Sequence, residues 1–251
     1  MSLSLYRGQT LAVIGESGSG KSSTARLITG LLPPSAGQVL YDGQPLPADF
    51  RQRSKEQLRR VQMIYQIPDT ALNPRQRIVD IIGRPLSFYL GLKGKALRDR
   101  VADLLAMIEL EPGKFMERQP RELSGGQKQR ICIARALAAD PQLIICDEVT
   151  SALDQLVAEG ILKLLDRVQR QLGVSYLFIT HDVATVRAIA DEVVVMQRGR
   201  VVDHGARNTI FTPPHQDYTG LLFSSEPEMD PQWLDRILDQ RSARQPLVGQ
   251  I

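Results

Sequence analysis

One stretch constrains the fold more than any other: a glycine-rich loop that directly joins an apolar run to a helical pattern. "TLAVIG" at residues 10–15 has the character of a short buried strand. "GESGSGKS" at residues 15–22 fits the pattern G-x-x-x-x-G-K-[ST]. Ala25, Leu27 and Ile28 then repeat at helical spacing. This order of strand, loop and helix is the context in which the pattern binds phosphate.

The residue types of this loop predict what it binds. Glycines let the backbone turn tightly and aim its N–H groups inward, and the helix N-terminus adds positive potential. We expect Lys21 to reach the β- and γ-phosphates of a nucleotide and Ser22 to bind Mg²⁺. A chance glycine turn is the alternative, which the flanking strand and helix disfavour. The predicted nucleotide-binding residues of the loop are Gly15, Ser17, Gly18, Ser19, Gly20, Lys21, Ser22 and Ser23.

Two adjacent acids end a second apolar run. "LIICDE" at residues 143–148 finishes with Asp147 and Glu148. Ligands of open parallel sheets bind at the carboxyl edge of the strands, and successive side chains of a strand point to opposite faces. We therefore expect different roles: Asp147 holds Mg²⁺, and Glu148 orients or deprotonates water. Taken alone, two solvated acids at a strand end explain this stretch equally well.

Strand and helix patterns alternate through most of the chain, which predicts an α/β fold with a largely parallel sheet. Further strand patterns occur at residues 61–66, 142–148 and 175–181, and on both sides of the turn Arg198–Gly199. Residues 74–122 show helical spacing only, with a break at Gly91 and Gly94. We expect a single domain over residues 1–251. Its parts are a core at 1–73 and 123–205, a helical insert at 74–122, and a C-terminal extension at 206–251 that includes an amphipathic piece around Trp233.

Composition excludes some classes of function. The net charge of +3 is mild, so no nucleic-acid partner is expected. The two cysteines, Cys132 and Cys146, lie in apolar surroundings, which favours buried free thiols in a reducing compartment. No apolar run reaches the roughly 20 residues that span a bilayer. If the chain serves a membrane process, other chains must supply the membrane part.

A third group of motifs carries a family resemblance. "LSGGQKQR" at residues 123–130 resembles the signature motif of the ATP-binding subunits of ABC transporters, and "SALD" at residues 151–154 resembles their D-loop. Gln66 and His181 stand where that family has its Q-loop glutamine and its switch histidine. The motifs occur in family order. The resemblance implies a P-loop NTPase with a mostly parallel core sheet, a small antiparallel β part and a helical insert subdomain.

The resemblance also implies that two such domains pack head to tail, with each ATP between the phosphate loop of one and the signature loop of the other. A helix N-terminus that opens at Ser124, Gly125 and Gly126 can meet a phosphate offered across that interface. Gln127 belongs to the same loop, and Asp154 would bind across the interface. The alternatives are an N-cap serine before a glycine bend, and an N-cap role for Asp154 that is compatible with an interface role.

Two further roles come from the resemblance. Gln66 would contact Mg²⁺ or the attacking water and sense a transmembrane partner, and His181 would hydrogen-bond the γ-phosphate and align Glu148 with water. The alternatives are an exposed glutamine at a strand end and a histidine that caps the following helix. The implied catalytic residues are therefore Glu148, His181 and Gln66. The implied Mg²⁺ ligands are Ser22, Gln66 and Asp147.

Two stretches indicate a branch of the family. "YQIPDTALNPR" (65–75) and "FTPPHQDYTGLL" (211–222) resemble the dipeptide, oligopeptide and nickel importer branch. That branch implies two transmembrane permease subunits, a periplasmic or extracellular solute-binding protein acting indirectly, and a peripheral position on the cytoplasmic face of the inner (plasma) membrane.

The chain departs from the family pattern in two places. Val149 replaces the usual proline after the catalytic glutamate, and the aromatic residue that stacks on adenine falls before residue 1. We therefore expect an N-terminal truncation, such as the second half of a fused two-domain ATPase. The alternatives are an ABC-type ATPase acting on nucleic acid or ribosomes, which the compact insert disfavours, and a domain that binds nucleotide without hydrolysis.

Overall fold

The computed structural model describes residues 1–224, and the predicted amphipathic piece around Trp233 lies outside them. The strand predictions agree closely with the structure, because each apolar run is bounded by turn residues. The strands are β1 (Thr10–Ile14), β2 (Leu40–Tyr41), β3 (Gln44–Pro45), β4 (Val61–Ile64), β5 (Leu143–Asp147), β6 (Ser175–Ile179), β7 (Glu192–Gln197) and β8 (Arg200–Ala206).

The predicted parallel sheet is confirmed. Within the described residues the main sheet has six strands in the order β4-β5-β6-β1-β7-β8. Every neighbouring pair is parallel except β7 and β8, which form an antiparallel hairpin around Arg198–Gly199. β2 and β3 form a separate two-stranded antiparallel sheet. The small antiparallel part that the family resemblance implied is therefore present.

Helices cover both faces of the sheet. The predicted helical region contains α4 and α5, and Gly91 ends α4 in the left-handed conformation (φ 70°) that glycine adopts without a steric cost. The helices are α1 (Lys21–Thr29), α2 (Lys55–Arg60), α3 (Pro68–Ala71), α4 (Ile78–Leu90), α5 (Gly94–Met107), α6 (Pro112–Phe115), α7 (Gly125–Leu137), α8 (Gln155–Leu172), α9 (Val183–Ile189), α10 (Arg207–Ile210) and α11 (Asp217–Ser224).

Residues 38–43 are typical of a strand that ends in a turn, and the structure has β2 followed by a turn at Asp42 and Gly43 that leads into β3. One local feature differs from the sequence prediction. Helix α2 has no predicted counterpart, because Leu58 is its one large apolar residue. A reciprocal capping box stabilises its start: Ser54 Oγ accepts from the Gln57 N–H, and Gln57 Oε1 accepts from the Ser54 N–H.

The core is divided by the sheet, since alternate residues of each strand face opposite sides. Ile144 and Cys146 of β5 pack into the cluster that includes α4, α5, α7 and α8, whereas Ile145 packs with Leu11 and Ala25 on the other side. Both cysteines are free and buried, as predicted. Burial raises the pKa of the Cys132 thiol to about 11 and raises that of Cys146 further.

Candidate active site

The strand register brings the predicted site segments to one edge of the sheet. Val13, Ile179 and Asp147 lie in one row across β1, β6 and β5, and Ile64 of β4 pairs with Cys146. The phosphate loop begins two residues beyond Val13, His181 lies two residues beyond Ile179, and Glu148 directly follows Asp147. Because these strands are parallel, their carboxyl ends open onto one crevice.

The lysine of the phosphate loop forms hydrogen bonds to backbone carbonyls of the same loop. Lys21 is the first residue of α1 and is only 6% exposed. Its Nζ donates to the carbonyl oxygens of Gly15, at 2.7 Å, and Glu16, at 2.9 Å. Burial lowers the pKa of Lys21, and the negative charges of Glu148 and Asp147 oppose this effect. The cation is therefore held at the loop, next to the amides that the motif uses for phosphate.

The remaining loop residues fall into buried and exposed groups. Ser19 is buried, and its Oγ has no hydrogen-bond partner among the described residues. Ser17, Gly18 and Ser23 are exposed, and Gly20 precedes α1 with a left-handed φ of 104°. An exposed rim of small residues around a buried lysine leaves the loop open to a ligand.

A hydroxyl and a carboxylate lie side by side next to this loop. Ser22 Oγ donates to Asp147 Oδ1 at 3.0 Å. Asp147 is 9% exposed, and burial raises its pKa, while the hydrogen bond from Ser22 opposes the rise. Two hard oxygen donors at this spacing suit a cation such as Mg²⁺.

The two acids point to different partners, as the strand alternation predicts. Glu148 Oε2 accepts a hydrogen bond from Gln66 Nε2 at 2.7 Å, and Glu148 Oε1 lies 3.4 Å from His181 Nδ1. Glu148 has a φ of 50°, which is uncommon for a residue with a side chain and marks a sharp change of direction after β5. The structure therefore brings Glu148, Gln66 and His181 together.

The capping alternative for His181 is wrong, because Asp182 is the residue that caps α9: its Oδ1 accepts from the Ala184 N–H at 2.9 Å. The alternative interpretation of Gln66, an exposed glutamine at a strand end, is also incomplete. Although Gln66 is exposed, its amide nitrogen bonds both Glu148 and Ser151 Oγ.

The second glycine loop forms a capped helix start. Ser124 Oγ accepts from the Gln127 N–H at 3.3 Å, and Gln127 Oε1 accepts from the Ser124 N–H at 3.1 Å. Asp154 caps α8 in the same way, by accepting from the Val157 N–H at 3.0 Å. Both capping interpretations are therefore confirmed, and both are compatible with binding across an interface.

The structure does not bring every predicted site residue into one place. Among residues 1–224, no hydrogen bond or ion pair joins Ser124–Gln127 to the phosphate loop. Ser124 and Gly125 are exposed. The second loop is therefore available to another molecule.

Three contacts of the site have no counterpart in the sequence prediction. Ser151 Oγ accepts from Gln66, the Gly199 N–H donates to the Ser19 carbonyl at 2.9 Å, and Tyr218 Oη accepts from the Glu16 N–H at 3.1 Å. Ser151 lies inside a motif that the sequence does reveal. The other two depend on which distant strands and helices meet, for which the sequence carries no local signal.

Two other features are absent from the part of the chain that the structure describes. No helix there is long and apolar enough to cross a membrane. No group of three or more His, Cys, Asp or Glu side chains is arranged to hold a metal ion.

Comparison with known sequences gives a consistent result. A family model described as "ABC transporter" matches residues 1–151. The dipeptide transport ATP-binding protein DppF of Escherichia coli is 40% identical over all of this chain and 73% of its own length. The oligopeptide transport ATP-binding protein OppF of Lactococcus lactis subsp. lactis is 40% identical, over 91% of this chain and 71% of its own length.

Solved structures agree with the sequence matches. The ATP-binding cassette MJ0796, in a dimeric post-hydrolysis state bound to ADP and Pi, has a TM-score of 0.71 and 30% identity, covering 82% of this chain and 88% of its own. CbiO1 of Clostridium perfringens has a TM-score of 0.72 and 26% identity, covering 99% of this chain and 89% of its own. With its phosphate loop, carboxylate strand and second glycine loop in this arrangement, the chain belongs to the ABC transporter family of ATP-hydrolysing proteins.

Proposed function

We propose that this chain is the ATP-hydrolysing subunit that powers import of peptides or similar small solutes through partner membrane permeases. The observation that carries the proposal is the convergence of the phosphate loop, Asp147, Glu148, Gln66 and His181 at one sheet edge. The names of the relatives DppF and OppF support peptides as cargo and give no support to nucleic acid or ribosomes.

Nucleotide binding begins at the phosphate loop. The loop from Gly15 to Ser23 binds the phosphates through its backbone N–H groups. Lys21 already lies at the loop on the Gly15 and Glu16 carbonyls. An incoming phosphate offers the lysine a full negative charge in place of two carbonyl dipoles, so Lys21 turns toward the phosphate when ATP binds.

Ser22 and Asp147 are the residues that would hold Mg²⁺, because their oxygens already lie 3.0 Å apart beside the loop. Gln66 would contribute its amide oxygen, since its amide nitrogen is engaged with Glu148. A bound Mg²⁺ ion neutralises charge on the phosphates and so favours displacement at the γ-phosphate.

The attack by water depends on Glu148. Its carboxylate accepts the proton of the attacking water or orients that water in line with the bond that breaks. His181, whose Nδ1 lies 3.4 Å from one Glu148 carboxylate oxygen, donates toward the γ-phosphate through its ring N–H. The other oxygen is held by Gln66, so the water must compete with an amide for the carboxylate.

The second glycine loop serves the nucleotide of a partner domain. Ser124, Gly125, Gly126 and Gln127 form a helix start, exposed at Ser124 and Gly125, whose N–H groups can meet a phosphate across the interface. Asp154 joins this interface while it caps α8. The dimeric state of the MJ0796 cassette supports a pair of such domains, which we propose packs head to tail. Half of each reaction centre therefore comes from another copy or a related domain.

The permeases dock on an exposed groove beside Gln66. The groove has a volume of about 390 Å³, and its walls include Phe50, Leu58, Tyr65 and Phe88. Phe88 is 51% exposed and Tyr65, the neighbour of Gln66, is 40% exposed. A groove whose walls carry these exposed aromatic side chains, one of them the neighbour of Gln66, suits a cytoplasmic segment of a permease. The proposal includes a position on the cytoplasmic face of the membrane, with a solute-binding protein acting indirectly.

The test is ATP turnover and nucleotide-dependent pairing of Glu148→Gln. The amide keeps the shape of the side chain but cannot accept a proton, so we expect turnover to fall at least about a hundredfold. ATP should then hold a dimer that light scattering detects and that wild type forms only transiently. Glu148→Gln with wild-type turnover would contradict the proposal. Lys21→Ala, which should lose ATP binding and pairing, is the control.

A further inference from the structure

A segment near the end of the described chain reaches the phosphate loop. Helix α11 begins at Asp217, and the hydroxyl oxygen of Tyr218 accepts a hydrogen bond from the Glu16 N–H at 3.1 Å. The two residues are 202 positions apart in sequence. Tyr218 lies in a stretch that, at the level of sequence, indicates only a branch of the family.

The same peptide group is held on its other side by Lys21. The Glu16 N–H and the Gly15 carbonyl belong to one planar peptide unit, and in a trans peptide they point in opposite directions. The Gly15 carbonyl accepts from Lys21 Nζ at 2.7 Å. Tyr218 and Lys21 therefore bracket one peptide plane and together set its rotation.

The local chain does not fix this plane by itself. Gly15 has a φ of 149°, a region that glycine enters freely. A Cβ atom at this position would lie 2.1 Å from the Met196 carbonyl oxygen, so no other residue fits. Because glycine has no Cβ, its backbone dihedral angles are less restricted than those of other residues. Contacts from other segments are therefore needed to fix the orientation of this peptide plane.

Tyr218 is itself held in place. It packs against the cluster of Ile14, Val195 and Ile210. Its neighbour Thr219 is fully buried and donates from Oγ1 to Asp203 Oδ2 at 2.8 Å. The hydroxyl of Tyr218 is therefore presented to the loop from an ordered layer that packs on β1, β7 and β8.

We propose that Tyr218 is a positioning residue for the nucleotide site: its hydroxyl fixes the Gly15–Glu16 peptide and with it the carbonyl that holds Lys21 before nucleotide binds. This inference rests on the proposed function of the phosphate loop. A loop shaped in advance binds nucleotide without the cost of ordering at that moment. Without the hydroxyl, the loop must be ordered during binding, and affinity falls.

The experiment compares Tyr218→Phe with Tyr89→Phe in the full chain. Phenylalanine keeps the ring in its apolar cluster and removes only the hydroxyl. Tyr89 lies in the helical region and contacts Phe88 edge to face, so it controls for the loss of any tyrosine hydroxyl. The measurements are the dissociation constant for ADP by calorimetry, the thermal midpoint without nucleotide, and KM and kcat for ATP.

For Tyr218→Phe we expect the ADP dissociation constant to rise about threefold to tenfold, the range that corresponds to one hydrogen bond. KM should rise more than kcat falls, and the thermal midpoint should stay within about 2 °C of wild type. Tyr89→Phe should match wild type in all three.

Unchanged ADP affinity in Tyr218→Phe would overturn the inference. An equal rise of the ADP dissociation constant in Tyr89→Phe would also overturn it. So would a lowered thermal midpoint of Tyr218→Phe, because general loosening of the structure would then explain the lost affinity. If the wild-type chain itself binds no ADP, the proposed function fails first. This failure can be distinguished from the others because it is seen with the wild-type chain alone.

Discussion

Gly126→Ala is the substitution for which the structure gives the sharpest expectation. An added Cβ at Gly126 would lie 2.5 Å from Val157 Cγ1, at the point where the start of α7 meets the start of α8. The adjacent Gly125 offers a matched control, because the nearest side-chain atom to an added Cβ there is Leu153 Cδ2 at 3.9 Å. Both glycines lie in the first turn of α7, so alanine gains comparable helix propensity at each.

The size of the effect follows from contact geometry. Carbon atoms pack best at about 3.5–4.0 Å, so either Val157 leaves its rotamer or the two helix starts separate by roughly 1–1.5 Å. Overpacking of this kind typically costs about 1–3 kcal/mol. The difference in stability between the two alanine variants should therefore be about 1–3 kcal/mol, or about 2–12 °C in thermal midpoint for a chain of this size. A displacement of about 1 Å in the second glycine loop should also lower ATP turnover by at least about tenfold.

Urea unfolding followed by circular dichroism measures the free energy of unfolding, and steady-state phosphate release measures ATP turnover. Val157→Ala removes the methyl group that the new Cβ would meet. In that background Gly126→Ala should cost at least about 1 kcal/mol less than in wild type, which a double-mutant cycle detects. Equal stability of the Gly125 and Gly126 variants, or a cycle with no coupling to Val157, would refute the packing argument.

Three further outcomes are expected. Ser124→Arg should abolish turnover while leaving the nucleotide affinity of the isolated chain unchanged, and weaker binding by the single chain would disprove a role across the interface. Phe88→Ser should keep ATP turnover but lose co-purification with permease subunits, with Phe50→Ser as a second position in the same groove. Cys132, whose pKa is raised to about 11, is about one part in a thousand thiolate at pH 8, so it and Cys146 should react with a thiol reagent only after unfolding.

Much of the site could be predicted from sequence because Glu148, Gln66, His181 and the start of the phosphate loop each lie within two residues of the end of a buried strand. A run such as residues 143–146 has to be inside, and the polar residue at its end therefore lies at the sheet edge. The strands and the loop after β1 are local features of this kind. The capping box at Ser54 is also local, but α2 has too little apolar periodicity to be recognised.

The contacts between segments could not be predicted in the same way. Gln66 contacts Glu148 because β4 and β5 are neighbours in the sheet. Their nearer ends, Ile64 and Leu143, are separated by 78 residues of sequence. The order of strands in a sheet depends on how all elements of the fold pack together. The bond between Tyr218 and Glu16 needs α11 to pack beside β1 and β7. Side-chain periodicity indicates which face of an element is buried, but not which element covers it.

Two contacts join helix α7, which begins at the second glycine loop, to the segment that contains Gln66. Gln66, which donates a hydrogen bond to Glu148, lies just before the short helix α3. Helix α3 is tied to α7 by an ion pair between Asp69 and Lys128 at 2.6 Å and by a hydrogen bond from Arg135 to the Ala71 carbonyl. Since α7 begins at the exposed glycine loop, a shift of that helix on docking has to move α3 or break these two contacts. If both contacts hold, the shift moves α3 and with it Gln66, so we expect partner docking to be coupled to release of the Glu148 carboxylate through these two contacts.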